Sequence, residues 1–383
     1  MKRTEKIKVL QDLVQLHTVN GNEIVVAQYL QSLLEKHRIQ AKIDAFGDNR
    51  ADLVAEIGDA DPTKKVLTFT GHQDTVAVGN LDSWKHDPFA AEISGDRLYG
   101  RGASDMKSGL AAIAIALIEL SENDEVKLKG KLRFIATAGE EYGTPGAYRL
   151  NEQHVIDDAD ALVVGEPTDG NVTYAHSGSF NYRIKSTGKS AHSSTPTEGI
   201  NAIEGLINYI NVEKDLFADT PTDPYLGEVQ HSITVINGGE QVNTIPDQAE
   251  LLGNIRPTRE FNNQKVIERI TSAVNDLNAK NDVQLELEII HNFEPVETDS
   301  DHEFVQLAKK AAQDNFTDRE VKLQTMNGAT DASVFVKNNP GLPTVVLGAD
   351  NSKTDHQLNE YTTLSSYLEL IEVYQQIAEN FLK

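Results

Sequence analysis

The chain has 383 residues, 39% hydrophobic and 25% charged, a globular mixture with length for about two domains. Its formal net charge of −24, from 59 acidic against 35 basic side chains, disfavours nucleic acid and anionic membranes as partners. Cysteine is absent, which removes disulfides and thiolate metal sites and fits a reducing cytoplasm, and neither a membrane-length apolar run nor a signal-peptide core is found.

Ile7, Leu10, Leu13, Val14 and Leu16 keep helical spacing, and Asn22 is expected to cap a second helix carrying Ile24, Ala27, Leu30 and Leu34. Strands are expected over 42–46, 52–57 and 66–70. The last runs into His72 and Asp74, two residues apart and so on one face of an extended chain. They leave the strand at its carboxyl end, where open α/β sheets place their ligands. Asp105 follows a Gly-Arg-Gly turn and precedes a helix over about 106–120 that is apolar almost all round, hence buried. Its first turn would steady the Asp105 carboxylate as an anion. The strand 131–137 then runs into Glu140-Glu141, and the short apolar strand 161–164 into Gly165-Glu166.

Between 178 and 291 the pattern changes. Strands over 180–186, 232–236, 249–255 and 283–289, with helices over 201–212 and 264–277, follow the β-α-β-β-α-β order of a ferredoxin-like unit. The polar stretch 292–301 reads as the return linker. A helix over 303–314, a strand over 343–347 and a final amphipathic helix with Leu364, Leu368, Ile371, Ile377 and Phe381 resume the first pattern. The expected fold is therefore α/β: a helix-covered, mostly parallel sheet as catalytic domain (1–177 and 292–383), with an inserted α+β lid or dimerisation domain (178–291).

His356 arrives after the last strand. Pooled at one sheet edge, His72, Asp105, Glu141, Glu166 and His356 offer two imidazoles and three carboxylates, a set suited to Zn, Co or Mn. A carboxylate shared by two ions about 3.5–4 Å apart is the arrangement used for water-activating hydrolysis. Singly, each residue is as well explained by packing or solvation. Three apolar strands that each deliver such groups past the carboxyl end are not. His17, His37, His86, His154, His176, His231, His291 and His302 lack partners at useful spacing and read as solvated or packed. Ser177 and Ser193 do not sit in a G-x-S-x-G elbow, so a serine nucleophile is rejected.

The His-x-Asp after a strand, Trp84 with Pro88-Phe89, the LYGRGASDMKSG segment, Glu140-Glu141, the Gly-Glu-Pro-Thr turn and the late His-Gln-Leu-Asn-Glu together resemble the succinyl-diaminopimelate desuccinylase / acetylornithine deacetylase family of di-metal hydrolases. The resemblance covers essentially the whole chain. It implies that Asp105 bridges two divalent ions, with His72 and Glu166 completing one site and Glu141 and His356 the other. It further implies that Asp74 orients the His72 ring, that Glu140 is the general base, and that the Asp105–Met106 peptide is cis. His192 would hold the oxyanion of the scissile carbonyl, from a partner subunit in dimeric relatives. Arg256, Asn243 and the turn ending in Asp331 would contact substrate.

The implied reaction is attack of a metal-activated water on the amide of an N-acylated amino acid, with N-succinyl-LL-2,6-diaminopimelate favoured. Acetylornithine deacetylase, other aminoacylases and metallo-carboxypeptidases or dipeptidases share the ligands. A non-catalytic binding protein on this fold would be expected to have lost a ligand or Glu140, and all are here. The cofactor expected is two divalent ions, zinc before cobalt or manganese, in a cytoplasmic homodimer joined through the lid.

Overall fold

A computed structural model describes residues 1–59, 61 and 63–383. The chain forms two compact units, one of residues 1–175, 297–325 and 330–383, the other of 176–296 with 326–329. These bounds lie a few residues outside the expected 178–291, and no sequence pattern marked the short second segment.

The first unit is built on a nine-stranded sheet. Its middle is parallel: Lys131–Thr137, Val66–His72, Ala161–Val164 and Thr344–Val346 lie side by side. Outside them the strands reverse. Arg50–Gly58 and Ala41–Phe46 add antiparallel on one side, and Val172–His176 on the other. The sheet is thus mixed, with the expected parallel character held by the central strands. These are buried almost throughout, as strands covered on both faces are, whereas the outermost strand Ala41–Phe46 is only partly buried.

Helix Lys107–Glu122 is buried along nearly its whole length, packed against helices Arg3–Gln15 and Leu364–Phe381. Its entry sets the site. A Cβ at Gly109 would stand 1.9 Å from the Gly165 carbonyl oxygen, so only glycine lets the first turn approach the loop that carries Glu166.

Several segments differ from the expected ones. Glu23, not Asn22, stands at the N-cap of helix Ile24–Lys36; Asn22 adopts a left-handed φ of 66° and its amide donates to the His17 carbonyl. The presumed linker begins as strand, since Gln284–Phe293 extends into it and Val296–Glu297 follows. A three-stranded sheet of Glu92–Ser94, Arg97–Tyr99 and Tyr361–Thr363 was not anticipated.

In the second unit four antiparallel strands take the spatial order Gln230–Gly238, Gln248–Arg256, Ser179–Thr187, Gln284–Phe293. Numbered along the chain this is 2-3-1-4, the ferredoxin-like arrangement. Helices Ala202–Glu213 and Asn263–Asn278 close a separate core around Tyr182, Leu206, Tyr209, Leu251 and Ile270. Among the described residues no helix is long and apolar enough to cross a membrane.

Candidate metal centre

Register brings the candidate ligands together. His72 stands opposite Thr137, Thr70 opposite Val164, and Val164 opposite Val346, so the central strands end nearly level. The residues that follow them project from one edge: Asp74, Glu140 and Glu141, Glu166, and the loop that leads to His356.

The side chains form two half-sites about one carboxylate. Asp105 places Oδ1 3.0 Å from His72 Nε2 and Oδ2 3.1 Å from His356 Nε2. His72 Nε2 is also 3.4 Å from Glu166 Oε1, and His356 Nε2 is 2.9 Å from Glu141 Oε1. Ligand atoms of His72, Asp105 and Glu141 all lie within 4.8 Å of one another. Donor separations of this size match the edge of a tetrahedron about an ion bound at about 2.0–2.2 Å, so the donors fit two divalent ions, with Asp105 common to both. The Asp105–Met106 peptide is cis, and so is Asp350–Asn351.

Burial pulls the His72 ring toward neutrality, but Glu166, Asp105 and Asp74 overcome it and lift its pKa well above the ordinary value. His356 is raised to about 10, chiefly by Asp105 and Glu141. Glu166 is pushed up to about 8 by burial, against the pull of His72. Burial would raise Asp105 too, yet hydrogen bonds from both imidazoles hold it low. Glu140 is held well above a normal glutamate by burial, with Glu166, Asp331 and Glu141 adding to the effect. So much negative charge at one point calls for cations.

Asp74 is placed differently from the expectation. The His72 Nδ1 lies 3.0 Å from the Asp74 backbone carbonyl, while the Asp74 carboxylate is 3.6 Å away from that nitrogen. The carboxylate instead accepts three backbone N–H groups, Gly139 (2.9 Å) and Glu140 (3.0 Å) on Oδ1 and Glu141 (3.1 Å) on Oδ2. Asp52 accepts the Ala138 N–H at 2.9 Å, and Asp331 accepts the Thr137 hydroxyl. Buried carboxylates from three segments therefore hold consecutive residues from Thr137 to Glu141. Gly139, at φ 79°, turns the chain there and leads into the single turn Glu140–Tyr142 that carries both glutamates. Asp331 is itself buried and stands at the N-terminus of the short, fully buried helix Ala332–Phe335.

In the second unit His192 and Asn243 are neighbours: Ala191–His192 pairs with Thr244–Ile245, and the Ser193 N–H donates to the Asn243 carbonyl. His192 Nδ1 accepts from the Ser194 N–H at 3.1 Å, so a neutral ring carries its proton on Nε2. Arg256 ends strand Gln248–Arg256, is half-buried, and makes no ion pair among the described residues.

Arg101 and Glu360 lie inside the motifs, where spacing alone assigns them no role. In the structure they form a buried ion pair behind Asp105. The Gly-Arg-Gly and Asn-Glu pairs flanking the ligands were the available signal.

Comparison with known proteins places the chain in a family. Residues 68–380 match the family described as Peptidase family M20/M25/M40. A protein of Staphylococcus aureus (strain MSSA476) named probable succinyl-diaminopimelate desuccinylase is 34% identical, the alignment covering 99% of this chain and 98% of that one. Aminopeptidase PepT of Bacillus cereus superposes with a TM-score of 0.78 at 22% identity, all of both chains being covered. The Bacillus subtilis YXEP protein, described as a dinuclear metal binding peptidase, gives 0.74 at 19% identity over 99% and 98% of the two chains.

Proposed function

The chain belongs to peptidase family M20/M25/M40, a family of amide-bond hydrolases, and from that premise we propose that it removes the succinyl group from N-succinyl-LL-2,6-diaminopimelate. The carrying observation is Asp105, one carboxylate set between two imidazoles that each have a further carboxylate beside them. The substrate choice draws support from the name borne by the 34% identical relative, whereas the two solved structures compared above are described as an aminopeptidase and a dinuclear metal binding peptidase.

His72, Glu166 and Asp105 would hold one ion, and Asp105, Glu141 and His356 the other. When bound, such ions polarise a carbonyl and make water nucleophilic near neutral pH, zinc being the first choice for this donor set. Glu140, starved of water and crowded by carboxylates, is suited to take a proton and return it to the leaving amine. Asp74 fixes the turn from which Glu140 acts. His192 offers an Nε2–H for the developing oxyanion. Arg256, a half-buried cation without a carboxylate of its own, suits one on the substrate, and Asn243 lies on the loop beside His192. Strand Gln230–Gly238 is paired on one side only and exposes Val235 and Ile236, which supports a homodimer formed through this unit.

The test is a substrate panel on metal-stripped protein resupplied with zinc or cobalt: N-succinyl-diaminopimelate, N-acetylornithine, N-acetyl amino acids and a dipeptide. Turnover confined to the succinylated compound is the expected result, and Glu140→Gln should lower kcat by about 10²–10⁴-fold. Preference for the acetyl compounds or the dipeptide would replace the substrate and keep the chemistry. Undiminished turnover in Glu140→Gln would end the assignment of the base. Gel filtration belongs beside the panel, since a fully active strict monomer would remove the dimer.

A further inference from the structure

His356 poses a mechanical problem. Its side chain is 52% exposed, against 1% for His72, and it stands at a left-handed φ of 62° on a loop whose next residues, Gln357 and Leu358, are also exposed. A ligand carried on such a loop needs an anchor, and the anchor is four residues on. Glu360 is fully buried.

Its two oxygens do different work. Oε1 accepts the Ser104 N–H at 3.0 Å and the Asp105 N–H at 3.1 Å, so it holds the backbone of the shared carboxylate directly. Oε2 meets the Arg101 guanidinium, which is 2% exposed. Arg101 in turn donates to the Ala77 carbonyl at 3.3 Å, and its guanidinium lies 5.3 Å from the centre of the Trp84 ring. The Gly100 N–H donates to the Glu360 carbonyl, and the side chain of Asn359 accepts the Lys85 N–H at 2.6 Å. Three segments that are distant in sequence are tied at one point: the loop carrying His356, the turn carrying Asp105, and the loop carrying Trp84.

The geometry points to Glu360 and Arg101 as positioning residues that set the place of His356 relative to Asp105, and so the affinity of the ion held by Asp105, Glu141 and His356. This rests on the reading of those three as ligands. The other half-site does not depend on the anchor in the same way, because His72 and Glu166 hang from the ends of buried central strands. Asp105 is common to both, so the effect on the first ion should be small but present.

Glu360→Gln is the informative variant. Its amide oxygen can still accept from Ser104 and Asp105, but its amino group would face the Arg101 guanidinium, donor against donor. Calorimetric titration of the metal-free protein with zinc, and the visible spectrum on titration with cobalt, report binding without substrate. Wild type should take up two equivalents. Glu360→Gln should keep one near its original affinity and bind the other about 10–100-fold more weakly, the usual size of an outer-sphere effect on metal affinity. A general loss of structure would weaken both, and circular dichroism and Tm report it separately. Arg101→Lys, which keeps the charge and loses the planar fork, should repeat the selective weakening where the first variant does not fold. Folded variants binding both ions as wild type does would overturn the inference. A wild type that takes up fewer than two would overturn the ligand assignment beneath it.

Discussion

At the scale of single residues, the carboxylates that hold Thr137 to Glu141 carry a cost of their own. Asp52 is fully buried; one oxygen accepts the Ala138 N–H and the other has no hydrogen-bond partner among the described residues, and burial raises its pKa to about 8. The folded state therefore keeps a proton that the unfolded chain gives up near pH 4. Stability from this group is full below pH 4 and is lost as pH rises toward 8, at up to about 1.4 kcal/mol per pH unit. Asp52→Asn removes the titration, so its Tm should gain on wild type between pH 5 and 8, then hold a constant difference. Parallel Tm curves across that range would mean that Asp52 is ionised in the folded protein. The grouping of His72, Asp105, Glu141, Glu166 and His356 was legible in the sequence because each follows an apolar strand or precedes an apolar helix. The task of Asp74 was not. A His-x-Asp spacing says that two side chains share a face, but not that the backbone carbonyl would meet the ring while the carboxylate turned to the next loop.

At the scale of elements, apolar runs were readable and exposed ones were not. Lys131–Thr137 and Ala161–Val164 fell where expected because burial on both faces leaves a short apolar run, Phe134-Ile135-Ala136 in the first and the whole of the second. Glu92–Ser94 has no such stretch, and its pairing with Arg97–Tyr99 is carried by backbone hydrogen bonds that composition does not announce. Helix Pro145–Glu152 was missed for its length of eight residues, which leaves little room for a repeating pattern. Helix Lys107–Glu122 was plain from its composition, yet the reason for glycine at its third residue came only with the coordinates. Gly109→Ala should force the helix from the Glu166 loop and destabilise the protein by on the order of 1–3 kcal/mol in urea unfolding. An unchanged midpoint would mean that the backbones can part without loss.

At the scale of the whole molecule, the return of an α/β pattern after a β-α-β-β-α-β stretch was enough to foresee an insertion. The second unit's internal order could be foreseen because hydrophobic period alone distinguishes its strands from its helices. The short segment 326–329, which joins that unit from far along the chain, has no pattern to betray it. The two units keep separate hydrophobic interiors, one around helix Lys107–Glu122 and the other around Tyr182 and Tyr209. The candidate ligands all belong to the first. Mass action then acts on one unit only: free zinc at a hundred times its dissociation constant should add about 2.7 kcal/mol for each site filled in the first unit and nothing to the second. Scanning calorimetry should show one endotherm in the metal-free protein splitting as zinc is added, the upper part moving with zinc concentration and the lower part standing still. A single endotherm moving as one would show that the two interiors melt together. If they part, the lower transition sets the working temperature ceiling, and the unit carrying His192 and Arg256, not the one carrying the candidate ligands, is where thermal inactivation begins.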